Sequence, residues 1–529
     1  MSSSPSSPRA SASVLRDVYR GSVRWDLLAD FPEQDPVDRA IGDEVVARTE
    51  ELLRELVDPD EVDATGALPD GLLEELRGNG LLGVSADPAL GGLGLSRLNT
   101  CRVVQAAASW SMPVAFSLAI NNGFGSHTYL PALPPGPLRD VIAERAVGGV
   151  ISAGADAEVA GAANERRTTV ATPVDGGHRI TGEKVFIGNG AVAELLDVSA
   201  TVTAPDGSES VRLFFVDTRS PGFAVVGRHE FMGLRGSTIA ALRFDGVFVP
   251  EANAMPALSD GWRMRPSGDV AGPGELADLG ELALFGRHLV VAPASLAVAS
   301  AARRWADEFA ARRRIDGRVL GEYEEVRRLR AELAAEEYLA ESTHLWCLLG
   351  SARSDTRPDL TAAKNTTSLA AWRAIDRTMA LYGAEGYETA RGKAARGAPA
   401  VPVERCFRDA RALRVAGGVD FMLDIWSAKA NLGVDAAADG GAAPGADGRF
   451  VAERVAELGA WCREAAAGDL GERQRWVGLL GRGARELHGA ACAVARAAGR
   501  DDGVAHAAVT SVRHRIAALW SELESEREA

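Results

Sequence analysis

The sequence predicts an α+β protein in four parts: an N-terminal helical domain, a middle antiparallel β-domain, a C-terminal four-helix bundle and an extra helical appendix. Three observations carry that expectation. Apolar residues recur at helical spacing on both sides of one central stretch. That stretch, residues 151–255, switches to short β-branched runs separated by Gly and Asp. At 529 residues the chain also exceeds one ordinary domain, and length alone suggests about three.

Residues 1–13 are rich in Ser, Pro and Ala, lack the apolar core of a secretory signal, and read as a disordered tail. Residues 14–150 form the helical domain, with helical periods over Ile41–Val57 and Leu72–Leu82. The run Gly91-Gly92-Leu93-Gly94-Leu95-Ser96 reads as a loop. In 151–255 the strand candidates are Thr168–Val170, Lys184–Ile187, Val198–Val202, Val211–Val216 and Ala241–Val249. Residues 256–280 are a Gly/Pro/Asp-rich connector. The bundle, 281–433, is predicted as helices over 283–312, 322–350, 359–383 and 403–428. Its longest apolar run, Leu289–Ala302, is shorter than a membrane span of about 20 residues and reads as a buried helix. Residues 434–449 are a low-complexity linker, and 450–529 the appendix, where Trp461 and Cys462 read as packing residues.

Composition narrows the function classes. The net charge of -15 and pI of about 5.2 argue against nucleic-acid partners. The five cysteines form no C-x-x-C pair, so neither structural zinc nor a disulfide scaffold is expected, and reduced thiols in a cytoplasmic protein are. No glycine fingerprint of the Rossmann or P-loop type follows a strand and opens a helix.

Four segments resemble the acyl-CoA dehydrogenase family in order and spacing. Gly83-Val84 with Gly91–Ser96 resembles its N-terminal signature. Ile180–Gly190 resembles the "NGEKxWITNG" strand. Met232–Thr238, followed by Phe244–Pro250, resembles its most recognisable segment. Val403-Glu404-Arg405 with Arg408–Arg411 resembles its "VERxxRDAR" run. The resemblance spans residues 40–430, and the appendix resembles that of the very-long-chain branch. It implies an FAD-dependent α,β-desaturation of an acyl thioester, part of fatty acid metabolism, in which a carboxylate takes the α-proton while the β-hydride passes to the flavin. The thioester would ride on CoA or an acyl carrier protein, the electrons would go to an acceptor flavoprotein, and the assembly would be a homodimer or a heteromer with a related subunit.

The departures from the pattern are equally informative. The family's basic glutamate falls on Gly417 in Arg414–Asp420, and the alternative base position on the first bundle helix falls on Gly286 or Arg287. Asp420, three residues after Gly417, would share its helical face and is the candidate displaced base; the alternative is a carboxylate answering the helix dipole. His288 is the second candidate base, or else a core histidine. The flavin-facing threonine falls on Ala155. The family's tryptophan becomes Phe186, able to pack on the ring, and the neighbouring threonine becomes Gly188. The glycine segment reads Ala380–Gly386, with Gly383 and Gly386 retained, and Glu385 is expected to face solvent or the nucleotide edge. Ala390–Ala400 is a basic insertion. Arg312 or Arg313 matches the pyrophosphate-binding arginine, where paired donors suit the ligand; Arg312–Arg314 could equally be a solvated run at a helix end. Arg235 and Ser237 are expected to hold the β-domain, and Arg408-Asp409 to form a structural pair. No metal is expected. The resulting expectation is an FAD-dependent flavoprotein with a displaced or absent base, and the alternative is a non-redox thioester-binding or structural partner subunit.

Overall fold

The computed structural model describes residues 12–161, 166–255, 263–264, 270–271, 277–432, 439–468, 471, 473–498 and 503–528. Most of the expected tail, most of the 256–280 connector and the first part of the 434–449 linker lie outside them.

In chain order, short helices α1 (Val14–Arg20) and α2 (Trp25–Leu28) precede α3 (Pro36–Leu56), α4 (Pro59–Thr65), α5 (Leu72–Gly78), α6 (Arg97–Trp110), α7 (Met112–Phe124) and α8 (Pro137–Val147). The seven strands of the main sheet follow: β1 (Ser152–Ala155), β2 (Val170–Val174), β3 (Gly177–Ile187), β4 (Leu195–Thr203), β5 (Glu209–Asp217), β6 (Phe223–Arg228) and β7 (Ala240–Pro250), with a short strand pair, Arg263–Met264 and Val270–Ala271, after them. The chain then becomes helical again with α9 (Ala277–Arg312), α10 (Glu324–Leu349), α11 (Arg357–Tyr382), α12 (Ala384–Tyr387), α13 (Ala390–Ala395), α14 (Val403–Leu413), α15 (Asp420–Asn431), α16 (Gly445–Ala466), α17 (Gln474–Ala497) and α18 (Gly503–Glu528).

The chain divides into two compact units, Pro36–Ala294 and the pair of segments Met1–Asp35 with Ser295–Ala529. In the first, the strands form one sheet in the order β1-β4-β2-β3-β7-β6, with β5 on the far edge of β4. Most pairings are antiparallel, as the Gly/Asp turns predict, but β1 and β2 both run parallel to β4. Inward-facing Val198, Phe214, Phe244 and Val247 are fully buried in its core. Alternation along β7 produces this arrangement, because every second side chain points to the same face.

The second unit holds the bundle and the appendix. Residues 14–35, grouped by sequence with the N-terminal domain, pack here instead. Gly21, just past α1, and Gly459 of α16 approach so closely that no Cβ fits at Gly459. The Tyr19 hydroxyl meets Ser427 Oγ at 2.9 Å, and the Asp26 N–H donates to Gly440 O at 2.9 Å. Ser13, the last residue of the expected tail, caps α1. The single helix expected over 403–428 is two, α14 and α15. Gly417 and Gly418, with φ of 66° and 107°, take left-handed conformations that end a helix readily in glycine. Residue 445, expected in the linker, already begins α16. Helix α9 has an 18-residue window apolar enough to cross a membrane, yet 78% of that window is buried.

Candidate functional site

In the sheet unit the site begins where β3 leaves its ladder. Lys184 pairs with Leu242 and Ile187 with Ala240, so Val185 and Phe186 oppose one residue of β7 in a β-bulge. Phe186 adopts φ of 57°, unusual for a bulky side chain, and the residue is 61% exposed. Its amide donates to His229 Nε2 at 3.0 Å. The two rings lie 4.5 Å apart, with Phe231 5.9 Å from His229, so three aromatic rings form one surface. Sequence reasoning singled out Phe186 but not His229 or Phe231, which sit in no recognisable pattern.

The residues around this surface explain the motif. Thr238 Oγ1 donates to Asn189 Oδ1 at 2.9 Å and lies 3.2 Å from Ser117 Oγ, while Asn189 Nδ2 donates to Ser117 O at 3.0 Å. This buried knot ties the end of β3 to α7. The motif lysine, Lys184, is fully buried in an ion pair with Glu158 at 2.8 Å. Burial alone would raise the Glu158 carboxyl, but hydrogen bonds from Lys184, Thr168 and Thr169 bring it down to about 2. Arg235 donates to Asp63 O at 2.6 Å, a fold-holding contact, and Ser237 is buried. Gly188 stands where a Cβ would collide with the end of the Ile120 side chain from α7, so isoleucine fills the space a threonine would use. Ala155 is fully buried in the sheet core.

Neither alternative base position on α9 offers an ionisable base. A Cβ on Gly286 would lie 2.5 Å from Gly123 O and 2.8 Å from the Phe124 ring, because α7 and α9 cross at these two glycines. His288 is fully buried.

The helical unit carries the remaining predicted residues. At the end of α9, Arg312 lies over the Phe309 ring at 4.8 Å and pairs with Glu385 Oε2 at 3.2 Å. Phe309 in turn stacks on Tyr382 at 4.1 Å, fixing the ends of α9 and α11 together. Glu385, expected to face solvent or a nucleotide, is therefore committed to Arg312. Arg313 is exposed, and Arg314 has left the helix for a two-stranded hairpin with Arg318-Val319. Gly383 ends α11 at φ of 59° with open space around its Cα, whereas a Cβ on Gly386 would press on Met379 O at 2.6 Å. Gly383 thus serves conformation, and Gly386 serves packing.

The turn between α14 and α15, Arg414–Val419, contains no carboxylate. It is pinned from α11: Lys364 Nζ donates to Gly418 O at 2.7 Å, and Asn365 Nδ2 to Asp420 O at 2.8 Å. Asp420 does not project beside Gly417 along one helix, because the helix is broken between them. One carboxylate oxygen takes Arg414 Nη2 at 2.6 Å, and the other accepts the Phe421 N–H at 2.8 Å. That is the geometry of a helix N-terminal carboxylate. Arg408 is held by Glu404, one turn earlier on α14, at 2.8 Å.

Behind the turn runs a buried chain of charges. Asn365 Nδ2 also reaches Asp424 Oδ1 at 2.8 Å; Asp424 meets Arg485 at 3.2 Å; Arg485 meets Glu486 at 2.9 Å; Glu486 meets Arg515 at 2.9 Å. Arg515 reaches Glu336 at 3.3 Å, which also takes Arg373 at 2.6 Å. Burial works against the Glu336 charge, but Arg373 and Arg515 overcome it and hold the carboxyl low. At Asp424 burial wins over Arg485 and Asn365, and the carboxyl is pushed up. Appendix helices α17 and α18 thus reach the turn through side-chain charges.

Similarity to known proteins follows the same outline. The chain matches the acyl-CoA dehydrogenase N-terminal domain over residues 40–131, the middle domain over 153–247 and the C-terminal domain over 284–429. It is 28% identical over 413 residues to the probable acyl-CoA dehydrogenase FadE10 of Mycobacterium tuberculosis, covering 77% of this chain and 61% of that protein. It is 23% identical over 439 residues to the mitochondrial very long-chain specific acyl-CoA dehydrogenase of Mus musculus, covering 79% and 62%. The matched region thus spans about three-fifths of the length of these curated relatives. In three dimensions it resembles an acyl-CoA dehydrogenase from Bacillus anthracis, solved in complex with FAD, with a TM-score of 0.74 at 16% identity, over 98% of this chain and 91% of that one. Three domains of one family, in the family's order and on the family's fold, establish that the chain belongs to the acyl-CoA dehydrogenase family, whose cofactor is FAD.

Proposed function

We propose that this chain is an FAD-dependent oxidoreductase acting on an acyl thioester, carried by CoA or an acyl carrier protein, with its base displaced or absent. One observation carries the reading: Phe186, at the family's flavin-packing position, presents its ring to solvent from a left-handed bulge. A large aromatic ring exposed at a conformational cost fits a planar ring as its occupant. By the resemblance, Arg312 and Arg313 supply donors suited to a pyrophosphate, and Glu385 is the competitor that an anion must displace from Arg312. Bound FAD would accept a hydride from the substrate; the chain's own task is to orient the ring and exclude water.

Proton removal is where this chain departs from its family. Asp420 remains the nearest candidate to the turn, but its two oxygens are already occupied, one by Arg414 and the other by the Phe421 N–H. The reading therefore extends from α,β-dehydrogenation to flavin oxidations that need no carboxylate at that turn. Electrons would pass to an acceptor flavoprotein, and the assembly would be a homodimer or a heteromer with a related subunit.

The test is the absorption spectrum of the purified protein before and after adding FAD, then anaerobic addition of acyl thioesters. Flavin bands that bleach with thioester support the reading. A colourless protein that takes up no FAD overturns it.

A further inference from the structure

Both amides of the β3 bulge find acceptors outside the ladder. Val185 N–H donates to Ala157 O at 3.0 Å, and Phe186 N–H to the imidazole of His229. A backbone amide answered by a side chain, at a residue with φ of 57°, makes the bulge depend on that side chain. His229 is itself anchored just past β6, where its own N–H donates to Ile239 O at 3.0 Å. Because Nε2 accepts, the ring proton sits on Nδ1. The same imidazole lies 4.5 Å from the Phe186 ring at 32°, so it touches both backbone and side chain of that residue.

We propose that His229 is a positioning residue for the flavin, fixing the peptide and ring of Phe186 in the orientation that receives the cofactor. The inference rests on the FAD reading above. It assigns His229 no contact with substrate, only a hold on the residue that meets the cofactor.

Two substitutions separate the roles of the imidazole. His229→Phe keeps a ring for stacking but removes the acceptor; His229→Gln keeps an acceptor but removes the ring. The bond lies at the surface, so neither empties the core. We expect His229→Phe to speed hydrogen exchange at the Phe186 amide and to weaken FAD binding, each by about five- to tenfold, as for loss of one hydrogen bond. His229→Gln should restore both toward the parent values. The proposal is overturned if the parent protein binds FAD while His229→Phe leaves its affinity, visible spectrum and Phe186 exchange unchanged. A parent protein that takes up no FAD at all overturns the functional reading instead, so the two failures are distinct.

Discussion

At the end of β3 the chain leaves its ladder to expose an aromatic ring; at the end of α14 it leaves its helix and exposes no carboxylate. Both departures use left-handed backbone. At the first the residue is Phe186, for which that conformation is costly; at the second the residues are Gly417 and Gly418, for which it costs little. The costly conformation falls on a bulky aromatic residue, and the cheap one on two glycines where a helix ends. The turn is nevertheless the more heavily secured of the two, with Lys364, Asn365 and the charge chain behind it.

The sharpest way to break this contrast is to loosen the turn from behind. Arg485→Leu leaves Asp424 and Glu486 buried without their shared partner and should cost about 3–5 kcal/mol in urea denaturation, with faster amide exchange at 417–420. Unchanged exchange would show that the turn holds itself.

Acid separates the two units next. His127, in the sheet unit, is 6% exposed, and burial lowers its pKa from 6.5 to about 4. A folded state that refuses a proton gives stability present above pH 6.5 and lost as pH falls toward 4, here about 3 kcal/mol. His488, in the helical unit, has the opposite sign. Burial opposes its charge, but Cys492 and Asp359, the latter 2.7 Å away, overcome it and raise its pKa. Its contribution is present below pH 6.5 and lost as pH rises through the elevated value. Thermal unfolding between pH 4 and 6.5, compared with His127→Gln, should show the acid loss shrink in the variant.

Two glutamate substitutions probe the positions onto which the resemblance places the family's base. Gly286→Glu must push Gly123 and Phe124 aside and should cost about 1–3 kcal/mol without any gain in flavin reduction. Gly417→Glu must hold a left-handed backbone, at about 1–2 kcal/mol. On the thioester reading it should raise flavin reduction by roughly 10²-fold, the scale of a positioned general base. Stopped-flow bleaching with acyl-CoA separates the two; a gain at residue 286 would reverse the assignment. The smallest effect is expected at the aromatic surface, where Phe186→Ala should weaken FAD binding by about 0.5–1.5 kcal/mol, read by fluorescence titration.

Much of this architecture was legible in the residues. The alternation of β7 and the Gly/Asp turns announce strands, and the motif at Ile180–Gly190 announces the end of β3. What escaped was long-range. Nothing in Val14–Arg20 reveals that its partner is α16, and nothing in Ser152–Ala155 reveals that β1 joins β4 in parallel, since local pattern specifies faces and not neighbours. Asp420 shows how one local error propagates. Its face was inferred from a continuous helix, and the glycine pair, a breaker in plain view, removed the premise. At the site, Phe186 was legible through its motif, while His229 and Ile120 act through space and leave no periodic trace.

The seating of α1 on α16 sets a timetable for synthesis. Pro36–Ala294 is one uninterrupted stretch and can close on itself as it emerges. Val14, Leu15 and Val18, fully buried in the finished protein, must wait until Gly459 has been made before Gly21 can meet it. At ordinary elongation rates of about 5–20 residues per second, that delay is roughly 20–90 s. Throughout it α1 carries an uncovered apolar face, open to ribosome-associated holdases until α16 arrives.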